Sequence, residues 1–165
     1  MALQVEIIKN PGETITLQVN DRDTSSALPI LKGYPVKISS NYCIAVGDTE
    51  PVITAPMLGI AAADSTETAS VDGTVDVTTV IPGQTVLRAK ATTAANMDTA
   101  AELAAFIGNT VNFDRTGSTS YTFTVDENEA TDPNVNGLLI VGGDIDKGTI
   151  DFMVKGYAYE GTSSY

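Results

Sequence analysis

Apolar and polar residues alternate with a period of two along most of this chain, and turn-forming residues cut the alternation into short pieces. From Thr14 to Val19, Ile15, Leu17 and Val19 fall on one face and Thr14, Thr16 and Gln18 on the other, the pattern of a half-buried strand. The polar run from Asn20 to Ser26 then interrupts it, so residues 1–27 read as an N-terminal arm set apart from a body at 28–160. In the body, Leu28–Gly33, Val36–Ser39, Tyr42–Val46, Pro51–Thr54 and Leu58–Ala62 succeed one another, with Gly47-Asp48 as a turn. Strands spaced roughly 8–12 residues apart predict an all-β body, a small barrel or sandwich.

The middle of the chain is more regular. Val75 and Val77 alternate with Asp76, Pro82-Gly83 marks a turn, and Thr85–Ala91 supplies another apolar run, so a β-hairpin is expected over residues 74–91. Aspartate on the solvent face of such a strand discourages edge-to-edge aggregation. One segment departs from the period of two. Met97, Ala100, Leu103, Ala104 and Ile107 recur at helical spacing among good helix formers, predicting one short α-helix over about residues 97–107, packed on a sheet. Asn96, Asp98 and Thr99 are alternative caps, and Gly108-Asn109 suits a left-handed ending. Strands return at Val111–Phe113, Tyr121–Val125, Leu138–Val141 and Ile150–Tyr159, and residues 161–165 form a short polar tail.

Composition narrows the chemistry. The 165 residues include 21 acidic and 9 basic side chains, a formal charge of −12, with no histidine, no tryptophan and one cysteine. The missing histidines remove the usual general base near neutral pH and the commonest zinc and copper ligand. With 42% of residues apolar and 6% aromatic, the core is expected to be built mainly of Val, Ile, Leu and Ala. The basic residues are scattered singly apart from Arg88 and Lys90, which disfavours nucleic-acid and anionic-membrane partners. Cys43 lies in an apolar stretch and reads as a small buried thiol. The N-terminus carries no basic start followed by an apolar run, and Pro51–Ala63 is too short to span a bilayer; a soluble protein made in a cytoplasm is expected.

The densest group of hard oxygen donors is Asp126, Glu127, Asn128 and Glu129 with Asp132, a candidate cation site. Neither its spacing nor that of Asp144-Ile145-Asp146-Lys147-Gly148 matches the EF-hand pattern, and the cluster reads as a solvated loop. Facing carboxylates for glycoside hydrolysis cannot be read from spacing among 21 acids. Phosphate-cradling glycine motifs and a nucleophile elbow are missing. The expectation is a folded body with no catalytic, cofactor-binding or metal-binding residues.

The order of elements is nonetheless distinctive. Leu31-Lys32-Gly33-Tyr34-Pro35-Val36, Gly59-Ile60-Ala61-Ala62-Ala63-Asp64, Gly73-Thr74-Val75-Asp76-Val77 and Pro82-Gly83 together resemble the head decoration (cement) proteins of tailed bacteriophages, over roughly residues 28–91. The resemblance implies a non-enzymatic structural virion protein on the outer capsid surface. It implies homotrimers at threefold or quasi-threefold positions that bridge neighbouring major capsid proteins. In that setting the N-terminal arm, and within it Glu13, Thr14, Ile15, Thr16, Leu17, Gln18 and Val19, is the candidate segment for pairing with a capsid protein or an adjacent subunit. An ordinary first strand of the chain's own sheet is the other reading of the same residues. A carbohydrate-binding or adhesive β-sandwich module, and an enzyme using only carboxylates, are the alternative functions.

Overall fold

Strand pairing sorts the β segments into two five-stranded sheets and one two-stranded ladder, in a computed structural model that describes residues 4–21, 28–52 and 54–156. The first sheet has the order β2 (Thr14–Val19), β6 (Gly73–Thr79), β5 (Gly59–Ala61), β3 (Pro35–Ser39) and β4 (Tyr42–Ala45). The second runs β1 (Glu6–Lys9), β7 (Val86–Lys90), β12 (Thr149–Val154), β11 (Leu138–Asp144) and β8 (Thr110–Val111). β9 (Phe113–Thr116) and β10 (Thr122–Val125) make the third ladder. Every ladder between these strands is antiparallel. The first sheet coils until its edges β2 and β4 lie near one another without pairing. The protein is mainly β with one short helix, as the periodicity predicts, and its two sheets stack as a sandwich.

Residues 74–91 are not a hairpin. β6 pairs with β2 and β5, whereas β7 pairs with β1 and β12, so the turn at Pro82-Gly83 carries the chain from one sheet to the other. The inward residues explain the choice: Val75 and Val77 of β6 and Leu87 and Ala89 of β7 are all buried. As members of two sheets, these strands contribute their apolar faces from both sides of one core. Backbone bonds fix the crossing, with Val80 N–H donating to Leu58 O and Gly83 N–H to Val154 O.

The core is one continuous cluster. Aliphatic side chains dominate it, as composition predicts, but four rings run through its centre. Tyr34 meets Phe123 at 5.2 Å, Phe123 meets Phe113 at 5.9 Å, and Phe113 meets Phe152 at 5.5 Å, each edge to face. Such pairs add about 0.5–1.5 kcal/mol beyond their buried area. These rings stitch the β9–β10 ladder to both sheets.

The helix is shorter than the periodicity implies. A 3-10 turn at Ala94–Met97 buries Met97, and α1 then spans Ala100–Phe106. Of the possible caps the fold uses Thr99. Its hydroxyl accepts the Glu102 N–H while the Glu102 carboxylate accepts the Thr99 N–H at 3.1 Å, a reciprocal capping box. Asn96 is occupied elsewhere, donating its amide to Glu127 and Asn128. Gly108, at φ +93°, supplies the left-handed residue after the helix. Leu103 and Phe106 pack against the core, whereas Ile107 stays half exposed.

The N-terminal residues are built into both sheets. Glu6–Lys9 pairs with β7 and Thr14–Val19 with β6. The last strand ends at Val154, short of the expected Tyr159, with Lys155 and Gly156 already outside it; the rest of the polar linker, residues 22–27, residues 157–159 and the tail at 161–165 lie outside the described residues.

Candidate functional site

β2 gathers the candidate contact residues onto one sheet edge. Thr14 through Val19 pair in unbroken register with Thr78 through Gly73, and Glu13 just before them accepts the Thr79 N–H at 2.9 Å through its backbone carbonyl. Ile15 and Leu17 are half-buried and Val19 is buried, while Thr14, Thr16 and Gln18 are exposed. The alternation read from sequence is therefore the alternation in space. Thr16 donates its hydroxyl to Asp76 at 2.6 Å, and the Thr14 and Thr78 hydroxyls are 3.1 Å apart. Within one chain this segment is an ordinary edge strand, held by a full ladder.

A groove of about 840 Å³ lies beside β1, between that strand and the β5–β6 region of the other sheet. Its walls are mostly apolar, including Ile7, Ile8, Ile60 and Ala61, with Lys9 and Lys32 among the lining residues. Ile8 is 40% exposed. Two backbone bonds pin the strand at either end of the groove, Val5 N–H to Gly33 O at 3.1 Å and Gly12 N–H to Thr79 O at 2.9 Å. Upstream, the Gln4 side chain imitates a strand rung. Its amide donates to Tyr121 O and its carbonyl accepts the Phe123 N–H, both at 3.2 Å. Sequence reading did not single out β1 or this groove. Four residues with isoleucine at two consecutive positions carry almost no alternation, and the groove needs both sheets in place.

The acidic cluster does not converge on a cation. Glu127 is only 2% exposed and turns inward, where its carboxylate accepts the Thr93 N–H and the amides of Asn96 and Asn128. Glu129 turns to Asn112, accepting its N–H at 2.8 Å and its side-chain amide at 3.2 Å. Asp126 and Asp132 each accept a backbone N–H two residues on, from Asn128 and Asn134, the local turn bond typical of aspartate. The expectation of a solvated loop is thus corrected for Glu127 and Glu129. These carboxylates serve as acceptors for backbone and amide donors that secondary structure leaves unpaired. Neighbouring Asn112 and Asn136 extend the network, with Asn112 accepting the Gly137 N–H and Asn136 donating to Thr110 O and Ala130 O.

Burial pushes the Glu129 carboxyl above its ordinary value, opposed by the bonds from Asn112 and reinforced by Asp126 and Asp48. Asp114 is raised as well, by burial first and then by Asp48 and Asp126. Charge is compensated elsewhere by ion pairs. Arg88 forks onto Asp151 at 2.6 and 2.8 Å across the β7–β12 ladder, and Lys37 holds Glu50 at 2.5 and 2.6 Å. Cys43 is fully buried, and desolvation pushes its thiol up to about 11. Among the described residues no group of three His, Cys, Asp or Glu side chains is placed to hold a metal ion, and no helix is long and apolar enough to cross a membrane.

No family model matches this chain, and no curated protein matches it significantly.

Proposed function

We propose that this protein is a structural decoration protein of a tailed-phage capsid, set on the outer surface as trimers that bridge major capsid proteins. The observation that carries the reading is the placement of residues 4–21, which supply one edge strand to each main sheet. Edge strands are where a sheet accepts a neighbour through backbone hydrogen bonds. A rigid core threaded by aromatic rings suits a part that bears load, and a charge of −12 keeps many copies apart before they dock. The motifs at Leu31–Val36, Gly59–Asp64 and Gly73–Val77 support the same assignment. They fall on β3, β5 and β6, the three central strands of the first sheet, together with the residues flanking them.

Electron microscopy of purified virions labelled with an antibody to this chain tests the proposal. Label on the outer face of the heads is expected, together with a three-chain mass by light scattering. Virions without label, or a protein that stays monomeric at all concentrations, would overturn it. Deleting the first 20 residues is not a clean test, because it removes β1 and β2 from their sheets. Thr16→Lys and Gln18→Lys instead change only the exposed face of β2, and are expected to weaken capsid binding while leaving the fold intact.

A further inference from the structure

Asn136-Gly137 is the one Asn-Gly step among the chain's nine asparagines. Such a step is where a peptide chain most readily attacks itself, because glycine carries no side chain to hinder its own nitrogen. The Gly137 nitrogen loses its proton to hydroxide and bonds to Asn136 Cγ, the Cγ–Nδ2 bond breaks, and ammonia leaves with a proton from water. Water then opens the succinimide ring. Cleavage at Cγ leaves aspartate at position 136, whereas cleavage at the backbone carbonyl leaves isoaspartate, whose main chain runs through the former side chain and is longer by a methylene. The net change is one water consumed and one ammonia released.

The fold restrains both reacting groups. Gly137 N–H donates to Asn112 Oδ1 at 3.0 Å, so the place hydroxide needs is filled. Asn136 Nδ2 donates to Thr110 O at 2.8 Å and to Ala130 O at 2.9 Å, while Asn136 Oδ1 accepts from Asn112 Nδ2 at 3.3 Å. Asn112 is the common element, because its amide group holds the nucleophile through one end and the target through the other. The two asparagines are 2% and 3% exposed. An opening lies close by: residues 131–135 are exposed throughout, and β8, whose Thr110 carbonyl takes the Asn136 amide, has only two residues. Segments of this kind open locally at lower cost than core strands.

We propose that Asn136 is a site of spontaneous deamidation gated by Asn112, and that the modification prevents the opened chain from closing again. The product supplies the reason. A carboxylate at position 136 has lost both amide hydrogens and sets its oxygens against Thr110 O and Ala130 O, acceptor against acceptor. The isoaspartate methylene has no place either. Gly137 leaves no room even for a Cβ beside Pro51 O, and its own carbonyl accepts the Lys155 N–H at 2.9 Å. The inference stands apart from the capsid reading, since it concerns the isolated protein.

Mass spectrometry of the peptide containing Asn136 tests it, on protein held at mildly alkaline pH with and without urea. Deamidation is expected to run at least about tenfold more slowly in the native protein, because only the open fraction reacts. Asn112→Ala, or the nearly isosteric Asn112→Leu, is expected to raise the native rate at least about tenfold. Glu129→Gln, which alters the same network without freeing the Gly137 N–H, is expected to stay near the parent. Slow exchange of the Ile140 and Ile150 amides shows that each variant is folded. On dilution from urea, unmodified chains should regain that slow exchange and modified chains should not. Equal rates in the native and unfolded parent would overturn the proposal. So would a folded Asn112 variant that reacts no faster than Glu129→Gln, or modified chains that refold like unmodified ones.

Discussion

Replacing Glu127 by alanine should destabilise this protein far more than a loop carboxylate of ordinary kind. The side chain is 2% exposed. It accepts from Thr93 N–H at 3.1 and 3.3 Å, from the Asn96 amide at 3.3 Å and from the Asn128 amide at 2.8 Å. Hydrogen bonds to a charged group contribute roughly 1.5–3 kcal/mol, and a buried donor left without an acceptor costs about 1–3 kcal/mol. The donors do not all count equally. Thr93 and Asn128 are both exposed, so water takes up part of what their N–H groups lose, and Asn96 keeps its bond to Asn128 Oδ1 at 2.8 Å. Losing these partly solvated bonds to a charged acceptor leads to a loss of about 2 kcal/mol for Glu127→Ala. Glu127→Gln keeps one acceptor oxygen but sets an amide against the Thr93 N–H, for about 1 kcal/mol. Urea unfolding measures both. With a slope of about 2 kcal/mol per molar for a chain of this size, the alanine midpoint should fall by about 1 M at unchanged slope. A shift within about 0.5 kcal/mol of the parent, the range of ordinary surface substitutions, would refute the structural role assigned here. Calcium discriminates the alternative: a midpoint raised by millimolar calcium in the parent but not in Glu127→Ala would reinstate a cation site.

Two further outcomes follow from the charge environment. Burial, with Asp48 and Asp126, holds the Asp114 carboxyl above its ordinary value, so the folded state binds this proton more tightly than the unfolded state does. The resulting penalty is fully present above the raised folded-state pKa and is relieved as pH falls through it toward the unfolded value. Asp114→Asn should therefore reduce the loss of stability as pH rises across that interval, read from denaturation midpoints over a pH series; an unaltered pH profile contradicts the assignment. Cys43, fully buried with its thiol pushed up to about 11, should resist a thiol reagent at neutral pH and react only as the protein unfolds. Labelling as fast as that of a free thiol in the native protein would contradict its placement.

Much of the strand pattern was legible because burial on one face leaves a local mark. Ile15, Leu17 and Val19 alternate in sequence and lie on the inner side of β2, and Val75 and Val77 do the same in β6. The helix was legible in kind but not in extent. Its periodic residues include Met97, which the structure places in a preceding 3-10 turn, because the Thr99–Glu102 capping box fixes the start three residues later. Candidate chemistry was legible only as composition. Asp126, Glu127 and Glu129 adjoin in sequence, yet the backbone sends the two glutamates inward to different donors, Thr93 and Asn112. A string of acids says nothing about which unpaired N–H will be nearby.

The amino-acid sequence by itself determined that the chain is mainly β, which positions of strands such as β2 and β6 face the core, and that one short helix interrupts the strands, whereas the expected strands at Leu28–Gly33 and Pro51–Thr54 do not form. The motifs on which the proposed capsid role rests lie on and beside the central strands of one sheet. Tertiary structure alone decided that β6 and β7 part into different sheets, that residues 4–21 furnish an edge strand to each sheet, and that a groove remains beside β1. The physical reason is range. Alternation is written by each residue's own preference for water or the interior, whereas the partner of a strand is chosen by contacts dozens of residues away, Thr14 with Thr78 and Leu87 with Phe152. The same backbone hydrogen bonds form with either neighbour, so only the simultaneous burial of both apolar faces selects between them.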